Sequence, residues 1–440
     1  YAMDAAMNGA LNNIAIGHIA LSAITTGDNN IGIGSEAGSL ITTGLKNISI
    51  GVQAGKNIVG GSSNVAVGHN ALYSEDGHGK NIAIGDSTLY TLNAGADGNN
   101  VAIGHGASYA MTTGTSNIAI GSLAMQVHTT GANNMAIGYG AMDDTDAGSN
   151  SLGSGDNIFI GKDSGGGTWA DAGSSYNVAI GNATMDAAMN GANWNTAVGQ
   201  SALSAVTTGD TNVAVGNNAL LSLTTGTNNT AIGSQALDAL TTGVANVAIG
   251  KNALKVADND ESYNVSIGSY SMSTVNNDSA DHNVAIGYYA LNATTTSGTI
   301  AIGREALKAS TSGFGNMAIG MNAMKVHTTG GYNIAIGYAA MDDTDAGSTS
   351  LGSTRNIFMG YDAGGGTWTD AASSNNVAIG HYTMDSPLAG ATHNTAIGDN
   401  ALSSITSGDN NTMIGSGAGD GVTTGTDNVF IGMDAGNGTT

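Results

Sequence analysis

Apolar and polar positions alternate in a five-residue unit of asparagine, apolar, small, apolar and glycine. The unit first occurs at residues 13–17 and is found 24 times, the last at residues 428–432. Thirteen of the 23 intervals between its glycines are 17 residues, and the others run from 16 to 23. Three alternating residues between a polar residue and a glycine indicate a short β-strand with a turn at each end. Self-similarity at this period predicts a solenoid.

Each position of the unit makes its own demand on the backbone. Glycine at every closing position indicates a positive φ or a site without room for a Cβ atom. The recurrent asparagine, replaced once by Thr299, indicates a side chain that caps the turn and stacks on its neighbours in the next coil. β-Branched residues before the glycine predict an aliphatic ladder between coils. This structural role is assigned to Asn13, Ile14, Ile16, Gly17, Asn177, Ile180, Gly181, Asn229, Ile232 and Gly233.

The chain is predicted to be a single continuous β-solenoid array over residues 1–440. Residues 127–181 are nearly repeated at 326–380, an offset of 199 residues. The repeat divides the array into blocks 13–198 and 199–397 and a partial block 398–440. Many coils end with Thr-Thr-Gly, and we interpret one coil as two short strands joined by glycine turns. The frequent glycines argue against helices.

The packing of the strands follows from their alternation. Ile14 and Ile16 point to one side of their strand, and Ala15 points to the other. Because the middle position is Ala in 17 coils, we expect the aliphatic face to fill the coil and the small-residue face to contact another chain. A parallel homotrimer satisfies this geometry. The alternative is a single flattened solenoid whose two walls meet across the small residues.

The repeat resembles two known groups of proteins. Asn-Val-Ala-Ile-Gly at residues 177–181 resembles the head repeat of trimeric autotransporter (YadA-like) adhesins. The longer unit at residues 229–243 is similar to repeats of bacteriophage tail-fibre proteins. The resemblance implies an all-β fold, a left-handed parallel β-roll of about 24 coils of ~17 residues. It also implies an intertwined or side-by-side parallel homotrimer that forms a fibre.

The composition excludes several classes of protein. The chain has 69 Gly, 1 Pro and no Cys, and its 33 acidic residues against 10 basic ones give a net charge of −23. Without Cys there is no disulfide scaffold and no thiolate metal site. The acidic balance disfavours nucleic acid and anionic membranes as partners. No apolar run approaches the length of a membrane span, so we expect no membrane insertion.

Candidate chemistry is sparse. No Walker loop, His-Glu-x-x-His motif or other catalytic constellation is visible, so we expect no enzyme activity. Four histidines follow a closing glycine, and one from each of three chains would make a three-ligand zinc ring. Ser, Tyr, Asn and Lys hold the same position in other coils, which favours surface turn residues and no metal site. These histidines are His18, His69, His105 and His381.

Two acidic loops and two tryptophans are the remaining candidates. The loops could supply oxygen ligands to Ca²⁺, with a solvated acidic loop as the alternative, and no other cofactor is expected. An exposed indole stacks on sugar rings, so we predict a lateral receptor or glycan contact at the tryptophans and loops. The alternative is that each Trp folds back to cap a widened coil beside Phe159 or Phe358. The residues are Asp143, Asp144, Asp146, Asp342, Asp343, Asp345, Trp169 and Trp368.

The function predicted from these patterns is structural. We expect an extracellular, non-enzymatic fibre shaft for attachment, part of a phage tail fibre on the virion. Its partners would be two further copies, other fibre or virion proteins, and a host surface glycan or protein receptor. The alternative is a bacterial cell-surface adhesin or an extracellular matrix filament. Ice binding fits poorly, because adjacent threonines in a strand face opposite ways.

Overall fold

The computed structural model describes most of the chain. It covers residues 1–5, 8–145, 153–170, 172–257, 260–275, 280–293, 296–344, 352–369 and 371–438. These residues form β-strands and turns and contain no helix. Accordingly, no helix long and apolar enough to cross a bilayer occurs among them. The loop residues Asp146 and Asp345 lie outside the described residues.

The chain divides into two compact units, Tyr1–Thr227 and Asn228–Thr440. Their boundary falls inside the second sequence block rather than between blocks. The first unit holds β1 (Ile14–Ile16), β2 (Ile31–Ile33), β3 (Ile48–Ile50), β4 (Val65–Val67), β5 (Ile82–Ile84), β6 (Val101–Ile103), β7 (Ile118–Ile120), β8 (Met135–Ile137), β9 (Ile158–Ile160), β10 (Val178–Ile180), β11 (Thr196–Val198) and β12 (Val213–Val215). The second holds β13 (Thr230–Ile232), β14 (Val247–Ile249), β15 (Val265–Ile267), β16 (Val284–Ile286), β17 (Ile300–Ile302), β18 (Met317–Ile319), β19 (Ile334–Ile336), β20 (Ile357–Met359), β21 (Val377–Ile379), β22 (Thr395–Ile397), β23 (Thr412–Ile414) and β24 (Val429–Ile431).

Within each unit, every strand pairs in parallel with the next. Ile14 lies opposite Ile31 between β1 and β2, and Val247 lies opposite Val265 between β14 and β15. Equivalent positions of the repeat therefore stack on one another from coil to coil. The prediction of an all-β parallel β-solenoid is confirmed.

Among the described residues each coil shows one strand and not two, so that part of the prediction is wrong. The segment after the closing glycine is a series of turns, in which Ile19 and Leu21 have φ of 59° and 48°. Such left-handed residues break an extended strand. The turns still bond between coils, because Leu21 N–H donates to the carbonyl of Ala37 at 3.0 Å.

The asparagines and glycines act as predicted. Asn13 Nδ2 donates to the Gly27 carbonyl at 2.8 Å, and its Oδ1 accepts from Asn30 N–H at 2.8 Å. Asn177 and Asn229 make the corresponding bonds in their coils. Gly17 has φ of 130°, and a Cβ atom there would lie 2.6 Å from the carbonyl oxygen of Gly34. Gly181 and Gly233 are equivalent, with φ of 146° and 140°.

The strands face the opposite way from the prediction. The middle residue points into the coil and is fully buried, as at Ala179 and Ala231, whereas Ile180 and Ile232 point outward and are exposed. Where the core position carries Leu, the interior has little room for a side chain larger than alanine at the middle position. At Gly32, the middle residue of β2, an added Cβ would already lie 2.8 Å from Leu21 Cγ. The small-residue face therefore lines the coil, and it does not contact another chain.

The core balances large and small residues at two positions. Where the middle residue is Phe159 or Phe358, the fourth residue after the closing glycine is Gly165 or Gly364 instead of Leu or Met. A Cβ atom on either glycine would lie 2.5 Å from Cδ1 of that ring. The phenylalanines thus obtain room from a glycine in their own coil.

Candidate functional sites

The two predicted tryptophans are core residues. Trp169 and Trp368 are fully buried, and their rings pack on Phe159 and Phe358 with centroid separations of 5.8 and 5.6 Å. Each indole N–H donates to a carbonyl of its own coil, at 3.2 Å for Trp169 to Gly165. The prediction of exposed indoles that stack on sugars is wrong. Each indole instead lies inside the array against the Phe ring, which is the capping alternative.

The predicted acidic loops are fastened to the tryptophan segments. Asp144 Oδ2 accepts from Thr168 Oγ1 at 2.6 Å, and the Asp144 carbonyl accepts from Trp169 N–H at 3.0 Å. Asp343 makes the same two bonds to Thr367 and Trp368 in the second copy. These two aspartates therefore hold the loop against the coil.

Asp143 belongs to a carboxylate cluster that the sequence patterns missed. Asp143 and Asp186 approach each other over Gly166, where a Cβ atom would lie 3.4 and 3.0 Å from their Oδ1 atoms. Burial, and then the charges of Asp144 and Asp163, raise the pKa of Asp143 to about 6. Three coils contribute to the cluster, because Asp143, Asp163 and Asp186 follow three successive closing glycines. Aligning the coils would have placed them together.

The second copy reproduces the cluster with Asp342, Asp362 and Asp385. Burial, followed by the charges of Asp362 and Asp343, raises the pKa of Asp342 to about 6. Burial and the charge of Asp362 have the same effect on Asp385. Ca²⁺ binding at the acidic loops stays a prediction.

The predicted histidines lie on the surface. His18 and His381 are exposed. His69 Nδ1 lies 2.9 Å from Asp86 Oδ1, and His105 Nε2 lies 3.7 Å from the other oxygen of Asp86. Sequence patterns missed two buried histidines, His128 and His327, whose Nδ1 atoms lie 2.8 Å from the hydroxyls of Thr145 and Thr344. Both stand seven residues after a closing glycine, a position that we call the core row and that carries an aliphatic residue such as Ile24 in many coils.

An open groove of about 470 Å³ lies on the surface of the second unit. Tyr270 and Tyr289 stack in its wall with their ring centroids 5.1 Å apart. Lys308 Nζ lies 5.1 Å from the Tyr289 centroid. Amide and hydroxyl side chains complete the wall, including Asn252, Ser273 and Asn292. Stacked rings beside amides and hydroxyls suit the apolar faces and hydroxyl groups of sugars.

Each unit carries an outward aliphatic ladder, formed by the first and third residues of its strands. Ile16 is 59% exposed at one end, and Ile180 and Ile232 are 41% and 40% exposed within the arrays. Further exposed ladder residues are Ile14, Ile50, Ile84 and Ile158 in the first unit and Ile379, Ile397 and Ile414 in the second. Single exposed aliphatic residues are normal on a monomeric protein, but a continuous row of them marks an interaction surface.

The fold and these surfaces define the class of protein as a parallel β-solenoid repeat protein with an outward aliphatic ladder. No protein-family model and no curated protein sequence matches the chain. The similarity to tail-fibre and YadA-like repeats therefore stays a prediction.

Proposed function

We propose that this chain is a structural fibre shaft that works in attachment as a parallel homotrimer, in a phage tail fibre. The observation that carries the proposal is the outward ladder of Ile and Val along each unit. The number three comes from the resemblance of the repeat to trimeric fibres. The ladder supplies the surface on which the copies would pack.

Burial of the ladder explains residues that otherwise fit poorly with water. A solvent-facing strand position normally carries polar residues. Here, β-branched residues recur on both sides of the buried middle residue, as at Val247 and Ile249. Their shape favours flat packing between stacked strands. Parallel copies would place equivalent coils side by side, so one packing solution would serve every coil.

The charge of the chain suits a fibre that stays separate from its neighbours. The net charge of −23 comes from few charged residues, which make up only 10% of the chain. Like charges on the outer surface keep assembled fibres apart in solution. The proposed role needs no catalytic residues.

The groove at Tyr270 and Tyr289 is the best candidate for a contact with a host glycan. Its rings, amides and hydroxyls offer both apolar and hydrogen-bonding surface. The test is adsorption of the purified chain to host cells or to a glycan array. The change Tyr289→Ala should reduce adsorption, whereas Tyr90→Ala, in a tyrosine stack of the first unit, should not. Equal adsorption by both variants would remove this contact.

Immunogold electron microscopy tests the biological setting. Antibodies against the chain should label thin fibres on phage tails if the shaft belongs to a virion. Labelling of cell surfaces or extracellular filaments would instead support the alternative, a bacterial adhesin or matrix filament. Labelling confined to the cell interior would contradict both.

A further inference from the structure

One coil of the first unit carries three ionisable residues where the first coil carries core and turn residues. The coil between Gly68 and Gly85 has the usual length of 17 residues. Its Glu75, Asp76 and His78 stand where the first coil has Ile24, Thr25 and Gly27. Because the length is unchanged, the three side chains keep the register of the stack.

The three side chains converge. The carboxylate oxygens of Glu75 and Asp76 and a ring nitrogen of His78 lie within 4.8 Å of one another. No other group of three ligand-bearing side chains in the described part of the chain meets this distance. Glu75 Oε1 lies 3.5 Å from His78 Nδ1. Tetrahedral zinc with bonds of about 2.0–2.1 Å separates its ligand atoms by about 3.3 Å, so this pair is already close to the required spacing.

Glu75 lies in an environment that disfavours a free carboxylate. Its side chain is fully buried in the core row, and the equivalent residues of the adjacent coils are Ile58 and Leu92, both fully buried. One oxygen accepts from His78 N–H at 3.0 Å, and the other accepts from Ala94 N–H at 3.5 Å. A buried carboxylate among aliphatic residues is costly unless a cation accompanies it.

His78 also lacks a partner that a metal ion would provide. Its Nδ1 atom is buried and has no hydrogen-bond partner, although the side chain as a whole is 31% exposed. A buried ring nitrogen without a partner is unusual in a folded protein. It faces the buried carboxylate, and the exposed Asp76 leaves the site open to solvent.

The preceding coil holds these residues in place. Val59 and Gly60 donate their N–H groups to the Asp76 carbonyl at 2.7 and 2.9 Å. Asn64 Nδ2 donates to the His78 carbonyl at 3.1 Å. The backbone that carries two of the three ligands is thus fixed before any ion binds, which favours affinity.

We propose that Glu75, Asp76 and His78 bind one divalent transition-metal ion, of the class represented by Zn²⁺. An imidazole nitrogen with two carboxylates suits zinc and its neighbours, whereas Ca²⁺ prefers oxygen ligands alone. The ion would neutralise Glu75, satisfy His78 Nδ1 and fasten this coil to the stack. The site lies within one chain, so it does not depend on the proposed fibre assembly.

Calorimetric titration of the full chain, freed of metal by a chelator, with Zn²⁺ tests the proposal. We expect one site per chain, and Glu75→Gln or His78→Asn should weaken binding by about 10- to 100-fold or more. Co²⁺ should give the visible absorption of a nitrogen- and oxygen-ligated ion, lost in both variants. The matched control is His69→Asn, at the exposed pair with Asp86, which should bind like the parent.

The variant Glu75→Ile separates metal binding from folding, because it restores the aliphatic row. It should melt at a higher temperature than the metal-free parent and gain no further stability from Zn²⁺, whereas the parent should gain. The proposal is overturned if the parent binds no Zn²⁺ at millimolar concentration. It is also overturned if Glu75→Ile retains the Zn²⁺ response, or if His69→Asn is the variant that loses it.

Discussion

The asparagine ladder should be a major source of stability, and Asn195→Ala measures it. Asn195 Nδ2 donates to the Gly209 carbonyl at 2.8 Å and to Asn177 Oδ1 at 3.3 Å. Its Oδ1 accepts from Asn212 N–H and Nδ2, at 2.9 and 3.1 Å. The substitution removes these four hydrogen bonds, and the buried groups that formed them lose the side-chain amide as a partner.

The expected loss follows from those bonds. Each contributes about 1 kcal/mol, and an abandoned buried partner costs about as much again or more. Allowing for one weak bond and some relaxation, Asn195→Ala should lower the free energy of unfolding of its unit by about 3–5 kcal/mol. Urea unfolding followed by circular dichroism gives this quantity as a shift of the midpoint with little change of slope.

The opposite substitution, which adds the missing asparagine, can be made at residue 299. At Thr299, the one position without the asparagine, the buried hydroxyl oxygen has no hydrogen-bond partner. Asn283 Oδ1 still accepts from Thr299 N–H at 2.9 Å, so the ladder continues on that side. Thr299→Asn should therefore stabilise the second unit, by about 1–2 kcal/mol. A loss below about 1 kcal/mol for Asn195→Ala, or destabilisation by Thr299→Asn, would refute the ladder's role.

Three further predictions test the core, the acidic clusters and the outer ladder. Gly419→Leu should lower the free energy of unfolding by at least about 2 kcal/mol, because an added Cβ would lie 2.7 Å from Met413 Sδ. Adding Met413→Ala should recover most of this loss in a double-mutant cycle. If the effects of the two substitutions simply add, large and small core residues do not compensate each other at these two positions. Burial raises the pKa of Asp342 to about 6 from 3.8, so its contribution is fully present below pH 4 and is lost as the pH rises through about 6. Asp342→Asn should therefore raise the free energy of unfolding by about 1–2 kcal/mol at pH 7.5, after allowance for solvent screening, and by little at pH 4. An equal gain at both pH values in melting experiments would exclude titration of Asp342 as the cause. The double variant Ile180→Lys and Ile232→Lys should lower the number of chains per particle in ultracentrifugation, because each substitution places a charge on the outer ladder. The control Val52→Lys, at an exposed position off the ladder, should leave that number unchanged. Equal effects would argue against the ladder as the interface.

The repeat predicted the architecture because each position is under the same constraint in every coil. Glycine was required by a positive φ and by the carbonyl of the next coil, and asparagine by the bonds it makes on both sides. Both constraints act between equivalent residues, so a single sequence with many copies displays them. The register of the parallel strands followed from the same spacing.

The direction of the strands could not be obtained from alternation alone. A period of two separates the faces of a strand but does not say which face is inside. The usual preference for large aliphatic residues inside misled the prediction, because this coil is thin and Leu21 and Ile24 already fill it. One signal was present: Phe at the middle position always accompanies a glycine four residues after the closing glycine.

The candidate sites were harder to predict because they depend on longer coils. Each tryptophan lies eight residues after its closing glycine. It takes the place of the core residue that lies seven residues after the glycine in a 17-residue coil. The sequence did not show that the tryptophans are buried, whereas in the structure Gly165 and Gly364 make room for the Phe rings on which the indoles pack. Similarly, Asp163 and Asp186 join Asp143 only when coils of different length are stacked.

The mass of the native assembly shows whether the chain forms a trimer. The chain has a mass of 43.3 kDa, and native mass spectrometry or sedimentation equilibrium counts the copies. We predict a particle of three chains. A monomer with an exposed ladder would contradict it.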